Sequence, residues 1–140
     1  MSQLSGQQWL SQCINDYRER MNRANAKLYK RETAFVKGKG ETRSRLLDEY
    51  IHQVIHVARL AQDNGDDYRQ FWTLRRAHDR LLELINTHTE AHCFRCHCLH
   101  QCRKTLVGLC AMYQQCETGQ EMIDTLNIEF EFARDALISP

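Results

Sequence analysis

From Ser5 to about Val36 the apolar side chains recur four and three residues apart: Leu10, Ile14, Tyr17, Met21, Ala24, Leu28 and Phe35, with Arg31 alone breaking the rhythm. A 3.5-residue repeat keeps one face of an α-helix apolar, and a strand, with its period of two, cannot satisfy it. The segment is therefore expected to be one helix of roughly 45 Å at 1.5 Å per residue. Such a helix is long enough to project beyond a small domain or to pair with a second chain. Ser5 and Gln8 predict a capping box at its start, and Gly38 and Gly40 interrupt it.

The same period continues downstream. A second helix is expected from about Thr42 to Asp63 on Leu47, Ile51, Val54, Ala58 and Ala61, closed by Asn64-Gly65. A third starts at Asp66 or Asp67, with Phe71, Leu74, His78, Leu81, Ile85, His88 and His92 along its seam. A fourth covers about Leu99 to Gln115, with Cys102, Leu106, Leu109 and Tyr113. Thr118 and Glu121 form another capping-box pattern before Ile123, Leu126, Phe130, Ala133 and Leu137. No stretch alternates long enough for a strand. The fold class is accordingly all-α, a four- or five-helix bundle with a long N-terminal helix and a Cys/His metal-binding junction between helices three and four. The expectation is one domain over residues 1–140, made of a basic helical hairpin (6–63), a Cys/His-rich junction (88–102) and an acidic C-terminal helix (119–138).

With 42% apolar and 26% charged residues the chain has a globular composition. Its longest apolar run, Leu106 to Tyr113, falls far short of the roughly 20 residues that span a bilayer. The opening Met1 to Gly6 has neither the positive nor the apolar region of a secretory signal. Seven cysteines, an odd number, and the lack of an Asn-x-Ser/Thr sequon fit a reducing compartment. An intracellular protein, cytoplasmic or nuclear and not membrane-bound, is expected.

His88, His92, Cys93, Cys96, Cys98 and Cys102 fall within 15 positions, interleaved with His97 and His100. Thiolates and imidazoles are the ligands of tetrahedral zinc, and closing such a site contributes folding free energy. Cys93 and Cys96 have the CxxC spacing of a knuckle, while His88 with His92 and Cys98 with Cys102 are four apart, one turn of a helix. One possible foursome is His88, His92, Cys96 and Cys98; another draws on Cys93, Cys96, Cys98 or Cys102 with one histidine. The expected cofactor is a structural Zn2+, with an iron–sulfur cluster on the four cysteines as a rival. Cys96→Ser should then destabilise the junction strongly. His52 and His56, another pair four apart, lie off the apolar seam of helix two and read as a solvated face; His78 sits in the seam of helix three and reads as a hydrogen-bonded core histidine.

The run His92-Cys-Phe-Arg-Cys96-His-Cys98 resembles the HxxxCxC portion of a motif in small proteins of anelloviruses and gyroviruses, over seven residues. Leu84 and Lys104 stand where that motif has its tryptophan and last histidine. Compact Cys/His-rich regulatory proteins are common in viruses and mobile elements, which suggests such an origin.

The formal net charge of +1 hides a strong asymmetry. Arg18, Arg20, Arg23, Lys27, Lys30, Arg31, Lys37, Lys39, Arg43 and Arg45 are opposed in their span by Glu19, Glu32 and Glu41 alone, a net of +7. Residues 117–140 carry six acids against Arg134. A basic helical hairpin with Tyr29 and Phe35 suits phosphate contact by counterion release. The candidate nucleic-acid-binding residues are Arg18, Arg23, Lys27, Lys30, Arg31, Lys37, Lys39, Arg43 and Arg45. GKG at 38–40 lacks the spacing of a P-loop, and no nucleophile elbow is present. The expected function is that of a non-enzymatic, zinc-stabilised regulatory protein binding RNA or DNA. The alternative is a protein–protein interaction adaptor, and the seam of helix one makes a homodimer plausible.

Overall fold

The computed structural model describes residues 5–138, and among them every regular element is a helix. Five helices follow in order: α1 (Gly6–Lys37), α2 (Thr42–Asp63), α3 (Asp67–Ile85), α4 (His92–Tyr113) and α5 (Gly119–Ile138). Among the described residues no helix is long and apolar enough to cross a membrane.

The boundaries have local causes. Ser5 Oγ accepts from the Gln8 amide while Gln8 Oε1 accepts from the Ser5 amide, so the capping box forms as expected. Gly40 and Gly65 both have φ of +69°, a conformation that costs a residue with a Cβ, and they break the chain before α2 and after it. Asp66 caps α3 by accepting from the Arg69 amide at 3.2 Å. Its other oxygen accepts from Tyr17 Oη at 2.7 Å, which pins α1 to the α2–α3 corner.

Two expectations need correcting. α3 ends at Ile85, so His88 lies in the connecting turn rather than on the seam, and His92 opens the next helix. α4 begins at His92, seven residues before the expected Leu99, so the whole Cys/His run from His92 to Cys102 is helical. Ala91 caps α4 without a side-chain hydrogen bond, so the usual Ser, Thr, Asp or Asn signal is absent. Arg95 closes the junction from inside: it is buried and donates from Nε to the Ile85 carbonyl at 2.6 Å, satisfying an end carbonyl of α3.

Each helix packs on the next in sequence, and α2 also meets α4 while α3 meets α5. The main core gathers Phe35, Leu47, Tyr50, Ile51, Leu81, Ile85, Leu109 and Leu126. A smaller cluster of Met21, Ala24, Val57, Leu60 and Ala61 joins the middle of α1 to α2. The seam of α1 is buried only from Tyr17 onward: Trp9 is 60% exposed, and Leu10 and Ile14 also face solvent. The first part of α1 therefore runs free of the bundle.

Candidate nucleic-acid interface

Winding the Cys/His run into one helix separates its members. Cys98 and Cys102 face the core and are fully buried, while His92, Cys93 and Cys96 face solvent. Burial pushes both the Cys98 and the Cys102 thiols up to about 12, so both are neutral thiols inside the core. The one close approach within the outer set is His92 Nε2 to Cys96 Sγ at 3.4 Å. Among the described residues no three His, Cys, Asp or Glu side chains form a group able to hold a metal ion. Of the six candidate ligands, Cys98 and Cys102 face the core, His92, Cys93 and Cys96 lie on the solvent side of the same helix, and His88 is in the preceding turn, so the six do not share one centre in this arrangement. His78, by contrast, is a hydrogen-bonded core residue: its Nδ1 lies 2.8 Å from Thr105 Oγ1.

The nine basic candidates divide as well. Arg43 is turned inward, its guanidinium 4.2 Å from the centroid of the Phe94 ring and 2.7 Å from Glu90. Arg31, the break in the seam of α1, donates to the Glu49 carbonyl at 3.2 Å and to Gln53 Oε1, which locks α1 on α2. Arg45 pairs with Glu49 one turn on. Lys30 is exposed on α1, and Lys37 and Lys39 are exposed around the α1–α2 turn. Phe35 is 1% exposed and stacked on Tyr50, and cannot serve as a platform for bases. Tyr29 is exposed, but with Arg69, Trp72 and Arg76 it lines a groove between α1 and α3, where Arg18 also lies further along. Phe35, Tyr29 and the arginines of the hairpin therefore do not share one exposed face.

A different basic surface does. Arg20, Arg23 and Lys27 on α1 line one groove with His52 and His56 of α2. The next groove shares His52 and adds His100 and Lys104 from α4. Arg59, exposed one turn after His56, extends the ridge of α2. Two acids lie here: Glu49 holds Arg45, while Asp48 accepts from Gln101 Nε2, meets His97 Nε2, each at 2.6 Å, and keeps its charge. Arg20, Arg23, Lys27 and Lys104 outnumber it, so the surface is positive on balance.

Of the sequence candidates, Arg23 and Lys27 belong to this surface, and Arg20, His52, His56, His100 and Lys104 are its additions. The spacing of Arg20, Arg23 and Lys27, three and then four residues, could have marked Arg20 as sharing their face. Nothing in the sequence placed α4 beside α2. No family model matches the chain, and neither the curated proteins nor the solved structures include a similar one.

Proposed function

We propose that the protein is a non-enzymatic helical module that binds nucleic acid through the surface shared by α1, α2 and α4. The observation that carries this reading is the convergence of Arg20, Arg23 and Lys27 with His52, His56, His100 and Lys104 in two adjoining grooves. Lysine and arginine on neighbouring helices can meet successive phosphates, and the release of condensed counterions drives association. Without an assembled donor set for zinc, the reading is of a bundle held by its apolar core. The reading carries an intracellular location with it, where a nucleic-acid partner would be met.

Fluorescence anisotropy with a labelled oligonucleotide across a salt series tests it. Affinity should fall steeply with salt, and replacing Arg20, Arg23 and Lys27 together by Gln should reduce the log–log slope by about three, one unit for each lost phosphate contact. No binding at low salt would sink the proposal.

A protein-adaptor reading has one observation in its favour. Ile128 and Phe132, 66% and 73% exposed, lie one turn apart on α5 beside Glu131 and Asp135. An apolar patch with an acidic rim suits a basic amphipathic partner. Binding to a protein at this patch, with no affinity for nucleic acid, would favour the adaptor.

A further inference from the structure

The Cys/His run of α4 carries one CxxC segment. Cys93 and Cys96 are the only two cysteines of the run that face solvent, and both lie in the opening turns of α4. Side chains three apart on a helix have Cβ atoms about 5–6 Å from each other. A disulfide needs about 3.5–4.5 Å. The turn must therefore tighten by roughly 1 Å, within reach at a helix start whose cap residue, Ala91, makes no side-chain hydrogen bond. Cys98 and Cys102, locked in the core with raised thiol pKa values, are withdrawn from exchange.

We propose that Cys93 and Cys96 form a reversible dithiol–disulfide pair that exchanges with low-molecular-weight disulfides such as oxidised glutathione. The proposal is independent of nucleic-acid binding. His92 Nε2, 3.4 Å from Cys96 Sγ, is placed to accept the thiol proton. The Cys96 sulfur attacks one sulfur of the incoming disulfide, an S–S bond forms, and the first small thiol leaves with a proton. The Cys93 sulfur then attacks Cys96 Sγ, and the second small thiol leaves likewise. Two protein thiols are oxidised and one small disulfide is reduced to two thiols. Strain in the tightened turn makes the bond readily reducible, as an exchanging pair requires.

The two residues enclosed by the pair give oxidation a structural consequence. Phe94 carries the Arg43 guanidinium on its ring, and Arg95 holds the Ile85 carbonyl. Tightening their turn loosens both grips, and the effect reaches the α1–α2 turn through Arg43.

The test is equilibration of the full-length protein in graded ratios of reduced to oxidised glutathione, acid quenching, alkylation and tryptic mass mapping. Trypsin cuts after Arg95, between the two cysteines, so a Cys93–Cys96 bond joins two otherwise separate peptides. The expected result is that joined pair, with fragmentation placing the bond at Cys96, reversed by excess reduced glutathione, and with Cys98 and Cys102 recovered as free thiols that alkylate after the quench. Cys93→Ser should accumulate a glutathione adduct on Cys96, and His92→Ala should slow its formation about tenfold or more. Stable glutathione adducts on the unaltered protein, or crosslinks only to Cys13, Cys116 or a second chain, would overturn the proposal.

Discussion

Nδ1 of His78 lies 2.8 Å from Oγ1 of Thr105, an imidazole–hydroxyl contact enclosed between α3 and α4. Thr105 gives its own hydrogen to the Cys102 carbonyl at 2.9 Å, so the ring nitrogen is the donor and Nε2 carries the lone pair. Burial, aided by Arg75 and opposed by Asp79, lowers the pKa of His78 from 6.5 to about 4. The ring is neutral in the folded protein.

Acid should therefore unfold the bundle. Between about pH 6.5 and pH 4 the unfolded chain binds the His78 proton and the folded chain does not, so stability is full above this window and falls as pH drops through it. The whole span is about 3 kcal/mol. Urea midpoints measured across the window should fall steeply in the natural protein. In His78→Gln the fall should be shallower by about that amount, whatever the substitution costs at neutral pH.

Arg43 is expected to act as a core residue. Arg43→Ala removes the guanidinium over Phe94 and leaves the half-buried Glu90 unpaired, at about 1–3 kcal/mol. Arg43→Lys should not restore it, since an ammonium cannot lie flat on the ring. Lys37→Ala and Lys39→Ala, both at exposed positions, should stay within about 0.5 kcal/mol in the same denaturation assay.

The cysteines should sort by the face they occupy. Cys98→Ser or Cys102→Ser places a hydroxyl in the core and should cost about 1–3 kcal/mol. Cys96→Ser, at an exposed site, should cost less than about 0.5 kcal/mol, the reverse of what a zinc junction requires. A chelator should leave the melting temperature unchanged, and a clear fall would reinstate the metal.

Glycine 119 is expected to be indispensable. A Cβ at Gly119 would collide with the Tyr113 carbonyl oxygen, which is backbone and cannot swing aside. Gly119→Ala should cost at least about 3 kcal/mol or displace α5. At Gly108 the nearest atom is the end of the Leu74 side chain at 3.0 Å, and the gain in helix propensity, up to about 1 kcal/mol, offsets its adjustment. Gly108→Ala should therefore change the thermal midpoint little.

Helical class, approximate number and most boundaries were legible in the chain because they depend on neighbours a few residues away. The 3.5-residue rhythm of α1, the caps at Ser5 and Asp66 and the stop at Asn64-Gly65 are all local events. The start of α4 was not legible, since Ala91 offers no capping group and the Cys/His run carries no apolar period. Local clustering of residue types also misled: His88, Cys93, Cys96, Cys98 and Cys102 are close in sequence, yet His88 lies in a turn, Cys93 and Cys96 face solvent, and Cys98 and Cys102 face the core. Long-range packing alone decided that Phe35 and Arg43 turn inward, that Cys98 and Cys102 belong to the core, and that Lys104 and His100 lie near His52. A sequence states which face of a helix is apolar, but the neighbour that face meets is chosen by burial against other helices, and with it which charges are left facing water.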